Sequence, residues 1–134
     1  MADKLKLNVV TPERQVVEAD ADEVQLPGEL GYLGILPGHA TLVTLLKTGI
    51  LSYRSGGSTH AMAISSGFAE VANDVVSVLA DLAEQPADID AGQAERDRAQ
   101  ASEELKSAGF GDMEAIRTRL ELAQARIEVA RRPS

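Results

Sequence analysis

The residues able to carry chemistry are few and lie far apart. His39 and His60 are the two histidines. Neither has a His-x-x-x-His partner or a cysteine nearby, so a zinc site is not expected. Ser65-Ser66-Gly67 sets hydroxyls beside a glycine, but no Gly-x-Ser-x-Gly nucleophile pattern surrounds them. A turn at a strand end accounts for that triplet. Gly28, Gly31, Gly34 and Gly38 form a glycine-rich stretch without the Gly-Lys-Ser/Thr ending of a phosphate loop, and they are read as turn positions. Carboxylates are plentiful but scattered, as on a solvated acidic surface. The chain holds no cysteine, which removes thiolate and disulfide chemistry. These residues do not add up to an autonomous enzyme.

Charge narrows the partners. The formal net charge is −8 over 134 residues. Residues 1–84 carry five basic and eleven acidic side chains, and residues 85–134 carry eight and ten. An acidic body repels phosphate backbones and anionic lipid. Tyr32, Tyr53, Phe68 and Phe110 are the only aromatic residues, so base-stacking platforms are nearly absent and no nucleic-acid partner is expected. From Ala115 onward the balance reverses: Arg117, Arg119, Arg126, Arg131 and Arg132 stand against Glu121 and Glu128. That end suits an acidic partner, or is a solvated helix face. Leu5, Leu7, Val9 and Val10 are interrupted by Lys6 and Asn8, unlike a signal peptide, and no window reaches the ~20 apolar residues of a membrane span. The expectation is a cytoplasmic protein with no direct membrane insertion.

Two kinds of element must position these residues, and they meet near Pro86. Upstream, 44% apolar content over the whole chain supports a real core, and the apolar runs are short. Leu5, Leu7 and Val9 alternate with polar neighbours, the period of a half-buried strand. Thr11-Pro12 turns the chain into Gln15–Glu18 and Glu23–Leu26, and Pro27-Gly28 breaks that pattern. Ser55-Gly56-Gly57-Ser58 and Asn73-Asp74 read as hairpin turns, the first between residues 47–54 and 59–65, the second between 68–72 and 75–81. Frequent short strands indicate a sandwich or a barrel, and the expected fold is an antiparallel β-sandwich over residues 1–85.

Downstream, over residues 86–134, the period becomes helical. Asp88 or Asp90 caps a first helix, and Gln93 completes a capping-box spacing with Asp90. Ala91, Ala94, Ala101, Leu105 and Ala108 follow helical spacing, with Arg98 in the stripe. Gly109 and Gly111 end that helix and Asp112 caps the next. Met113, Ile116, Leu120, Ala123, Ile127 and Ala130 then recur in steps of three and four, a heptad seam. The prediction is an antiparallel two-helix hairpin. Its first helix offers mostly alanine methyls, each worth far less than the ~1.5–3 kcal/mol of a buried leucine, so the pair is expected to be weakly held, the alternative being a small hairpin docked permanently.

The run Gly28-Glu29-Leu30-Gly31-Tyr32-Leu33-Gly34-Ile35-Leu36-Pro37-Gly38-His39-Ala40 resembles the most distinctive stretch of F-type ATP synthase epsilon subunits. Residues 7–12, 66–71 and 73–80 are similar to that family's opening strand, its Gly-Gly-Phe-x-Glu-Val strand and its last sandwich strand. The resemblance implies a non-catalytic rotor subunit of the central stalk. It is expected to sit on the cytoplasmic face of the bacterial inner membrane, coupling rotation to ATP synthesis in a proton-translocating complex. A contact with the c-subunit ring maps onto Glu29, Leu30 and Gly31, and a gamma-subunit contact onto His39, Ala40 and nearby strands. For Glu29 and His39 taken singly, a plain surface carboxylate and a plain turn histidine are the alternatives.

For the tail, the resemblance implies a regulatory role. The helices fold on the sandwich or extend to the alpha/beta catalytic head, where they block hydrolysis; Arg117, Arg119 and Arg126 are the residues matched to the beta subunit. Some relatives bind ATP in the hairpin through an Ile/Leu-Asp-x-x-Arg-Ala motif. This chain has Ile89, Asp90, Gln93 and Ala94, with Gln93 in place of the arginine. Glutamine lacks the charge and fork that suit phosphate. The expectation is no required cofactor and at most weak ATP binding, Asp90 then serving as a helix cap. An ATP-sensing module and a β-sandwich interaction module unrelated to the synthase are the competing readings.

Overall fold

The computed structural model describes residues 3–132. Residues 1–2 and 133–134, the outer ends of the two predicted units, lie outside the described residues. Eight strands come first: β1 (Leu5–Val10), β2 (Gln15–Ala21), β3 (Glu23–Gly28), β4 (Gly31–Ile35), β5 (Leu42–Leu46), β6 (Gly49–Ser55), β7 (Ser58–Ala72) and β8 (Val75–Glu84). A short 3₁₀ turn at Pro86–Asp88 leads to α1 (Ala91–Ser107) and α2 (Phe110–Arg131). Among the described residues, no helix is long and apolar enough to cross a membrane.

The strands form one hydrogen-bonded network that folds over itself into a sandwich. The 15-residue β7 serves both layers: its first part pairs with β6, its second with β5, and β8 pairs with it from Ala63 to Ala72. Leu5, Leu7, Val9, Val24, Leu26, Ile35, Leu51, Met62, Ile64, Val71, Val76 and Val78 are fully buried and make the core. Within β7 the inward parity changes, from Met62 and Ile64 to Ala69 and Val71, across Ser65–Gly67.

Several expectations are corrected here. The sandwich is not wholly antiparallel, because β1 pairs with β8 in parallel through Leu7↔Val76 and Val9↔Val78. Both strands are apolar at alternate positions, and local alternation does not encode strand direction. Ser65-Ser66-Gly67 is not a strand-end turn but lies inside β7. A Cβ on Gly67 would come within 2.0 Å of the Leu79 carbonyl oxygen, so β7 and β8 approach too closely there for any side chain. Pro27 and Gly28 are the last two residues of β3; Gly28 and Gly34 are strand residues with ordinary φ, whereas Gly31, the first residue of β4, and Gly38 take positive φ. The hairpin turns are as expected: Gly56-Gly57 and Asn73-Asp74 all have positive φ, the geometry of a two-residue hairpin loop.

In the tail, Asp90 caps α1 by accepting the Gln93 N–H at 3.0 Å. The Gln93 side chain does not return to Asp90; it donates to Asp97 instead. Asp88 belongs to the 3₁₀ turn, where its carboxylate accepts the Gln85 N–H. The N-cap of α2 is Gly109, which places Gly111 and Asp112 inside the helix. Asp112 still favours the helix as a negative charge in its first turn. The seam forms with Ala94 and Ala101 buried on α1 and Ile116, Ala123 and Ile127 buried on α2. α2 has a second apolar edge: Ala125 and Val129 pack on Ile50, Ala61 and Ala63 of the sandwich, with Ile89 alongside. The hairpin therefore lies folded on the body, held by a patch of small side chains.

Candidate functional site

Two loops flank β5 from its two ends. At one end the β3–β4 turn places Glu29 and Leu30 at its tip, with the Glu29 N–H donating to Leu45 O at 3.0 Å. Gly28 pairs with Gly31, whose φ of 136° closes the turn. Leu30 is wholly exposed, an apolar side chain beside a carboxylate at a rigid tip. At the other end lies the loop carrying His39 and Ala40. The His39 N–H donates to Leu36 O, and its Nδ1–H donates to Ala40 O at 2.7 Å. Gly38 N–H donates to Asp74 Oδ1 at 2.7 Å, which ties this loop to the β7–β8 turn.

Between the loops the outer face of the sandwich is apolar. Leu45 on β5, Phe68 on β7 and Leu79 on β8 are direct cross-strand neighbours, and Val10 of β1 continues the row. Leu45, Phe68 and Leu79 are 59%, 43% and 46% exposed, so the row is open to solvent. It borders a shallow groove of about 450 Å³ that includes Pro12 and Gly67. Val43 is exposed on β5 as well. Exposed apolar patches are a general feature of interaction surfaces. Sequence reasoning assigned His39 and Ala40 but missed this row by residue. The available signal was β5 itself, Leu42-Val43-Thr44-Leu45-Leu46, which carries apolar side chains at both parities although only one can face the core.

His60 is half-buried on β7 and stacks on Tyr53 with ring centroids 4.9 Å apart. Burial pushes the Tyr53 phenol up. The two rings pack against one another on a sheet face.

At the body–tail junction, Ile89, Asp90, Gln93 and Ala94 border one hollow of about 230 Å³. Glu84, Asp88 and Asp97 also line it, and its one cation is Arg126. Arg126 is already engaged: its Nε and a terminal nitrogen donate to the two carboxylate oxygens of Glu84 at 2.6 and 3.2 Å. Arg119 makes a similar fork to Glu104 across the hairpin at 3.1 and 2.9 Å. That hydrogen bond holds the Glu104 carboxyl below its ordinary value and raises Arg119. Arg117 is exposed and has no ion-pair partner among the described residues.

Comparison with known proteins places this geometry. The family model described as "ATP synthase, Delta/Epsilon chain, beta-sandwich domain" matches residues 4–86. The ATP synthase epsilon chain of Citrifermentans bemidjiense is 42% identical over 132 residues, covering 97% of this chain and 96% of the relative. That of Carboxydothermus hydrogenoformans is 50% identical over 105 residues, covering 78% of each. A chain from the Euglena gracilis mitochondrial ATP synthase shares the fold with a TM-score of 0.81 at 23% identity, over 95% of this chain and 81% of its own. A chain of the Tetrahymena thermophila mitochondrial ATP synthase central stalk and c ring does so at 0.64 and 12%, over 96% and 98%. An eight-strand sandwich bearing the Gly-Ile-Leu-Pro-Gly-His-Ala loop, closed by a helical hairpin and 42% identical to such a relative over nearly its full length, belongs to the ATP synthase epsilon-chain family.

Proposed function

We propose that this chain is a non-catalytic rotor subunit of a bacterial, proton-translocating F-type ATP synthase. Its sandwich, residues 1–85, grips the gamma subunit and meets the c-subunit ring. Its helices, residues 86–134, restrain ATP hydrolysis when they leave the sandwich for the alpha/beta head. The carrying observation is the exposed row Leu45–Phe68–Leu79 between the His39 loop and the Glu29 loop. Transmitting torque needs an interface that does not slip. Large aliphatic and aromatic side chains on a stiff sheet supply the apolar area and the shape for one.

The other contacts follow from position. Leu30 offers an apolar tip and Glu29 a rim charge to the ring, with Gly31 shaping the turn; His39 and Ala40 extend the gamma-facing surface. Association with the cytoplasmic face of the inner membrane then runs through the ring. Arg117, Arg119 and Arg126 are the cations that face acidic segments of the beta subunits in the extended state, where an arginine fork fits a carboxylate.

Reconstitution tests both halves. The full chain added to a gamma-containing catalytic complex is expected to bind it and suppress ATP hydrolysis. A truncation after Gln85 is expected to bind equally and to relieve the suppression. Unchanged hydrolysis by the truncated form overturns the inhibitory role, and failure of the full chain to bind overturns the rotor role. An ATP-sensing role draws on the hollow that gathers Ile89, Asp90, Gln93 and Ala94. Its four carboxylates and its single, already paired arginine oppose a triphosphate. Calorimetry of the full chain with millimolar ATP is expected to give no binding heat, and a saturating heat would restore that role.

A further inference from the structure

We propose that Glu84 is an internal competitor for Arg126: it latches the folded tail to the sandwich and, by the same bond, withholds that arginine from an acidic partner. The competition with a partner rests on the proposed inhibitory role, whereas the latch stands on the folded chain alone.

The patch under α2 is too small to make the latch redundant. It buries Ile50, Val129 and three alanines, with Ile89 at its margin. Among the described residues, two ion pairs join the body to the tail: Arg126–Glu84 and Arg14–Asp88. They are unequal. Arg126 and Glu84 side chains are 25% and 24% exposed and form a two-bond fork, whereas Arg14–Asp88 is a single 3.5 Å contact in the open. Partial desolvation strengthens the first pair, and solvent screens the second. Departure of Arg126 would also leave Glu84 on the body without its cation. The hairpin itself is tied elsewhere, by Arg119–Glu104 and Arg131–Glu95 and by its own seam, so it can leave as a unit.

The two halves of the pair then have opposite functional signs. Glu84→Gln and Arg126→Gln both break the latch, so both release the tail. Only Glu84→Gln frees an intact arginine for the partner. A merely structural ion pair would move both variants in the same direction.

The chain has no native cysteine, so labels at Thr59→Cys on β7 and Gln124→Cys on α2 report docking directly. In the labelled full-length chain, each single variant is expected to raise the undocked fraction about three- to ten-fold, as for loss of a partly desolvated pair. The swapped variant, Glu84→Arg with Arg126→Glu, is expected to restore docking. In the reconstituted complex, Glu84→Gln is expected to deepen suppression of ATP hydrolysis and Arg126→Gln to weaken it. Unchanged label distances in both single variants overturn the latch. Released tails with equal, same-direction effects on hydrolysis overturn the competition. Released tails with no effect on hydrolysis overturn the competition and the inhibitory reading together, while the truncation after Gln85 tells whether that reading had failed already.

Discussion

The outer surface of the sandwich has two apolar regions, and they are built from different side chains. Under the tail it presents Ile50, Ala61 and Ala63. On the bare part it presents Leu45, Phe68 and Leu79. The covered region is mostly small groups, two alanines beside one isoleucine, and the uncovered one is all large groups. Burial energy scales with apolar area, so methyl groups make a cover that can lift, and a Phe flanked by two Leu makes a seat for something that stays. The same long strand, β7, supplies both regions, Ala61 and Ala63 from its first part and Phe68 from its second. The change of parity at Ser65–Gly67 lets one strand feed both.

The largest effect is expected at that junction, where the two regions are joined. Gly67→Val forces a side chain into the Leu79 carbonyl and should destabilise the sandwich by about 3–4 kcal/mol, seen as a lower urea midpoint. A wild-type midpoint would mean that the close approach of β7 and β8 is dispensable. Next, Phe68→Glu should weaken gamma binding by about 2–3 kcal/mol, read as a rise in Kd of roughly 30- to 150-fold, with a melting temperature close to that of the parent because the residue is exposed. Equal affinity would show that the bare row is not the seat. Smaller again, Val129→Ala should cost about 1–2 kcal/mol of tail docking. Hydrogen exchange should quicken in α2 and stay slow in β1 and β8. Loss of protection in both would make tail and body one cooperative unit and erase the contrast drawn here.

The smallest effect concerns acid. The Arg119 hydrogen bond holds the Glu104 carboxyl below its ordinary 4.5. A lowered folded value means the tie is fully present above 4.5 and is lost as the pH falls through the folded value. Exchange within the hairpin should therefore quicken only below that point, and Glu104→Gln should remove the acid dependence. Glu104→Gln should leave docking on the sandwich unchanged, which separates the hairpin's internal tie from its latch.

Much of this was legible in the chain. Asn73-Asp74 and Gly56-Gly57 declare hairpins because few other residues take left-handed φ at low cost. Asp90 declares a helix start because its carboxylate fits a free N–H. The steps of three and four from Met113 to Ala130 declare a helical seam. The resemblance around Gly34–Ala40 carried the family, which the comparisons bear out over nearly the full chain. Other features were hidden. Gly67 looks like a turn residue because sequence does not reveal that another backbone passes 2.0 Å from its missing Cβ. Ala125 and Val129 fall outside the heptad seam, so their burial becomes visible only once a second surface lies against α2.

By itself the sequence determined the Gly56-Gly57 and Asn73-Asp74 turns, the Asp90 cap, and the periods and their change near Pro86, since each depends on residues within one or two turns of chain. Tertiary structure alone decided the parallel pairing of β1 with β8, the alignment of Leu45, Phe68 and Leu79 into one row, and the meeting of Glu84 with Arg126. Those depend on register and approach between segments far apart in the chain, and no local pattern carries that information.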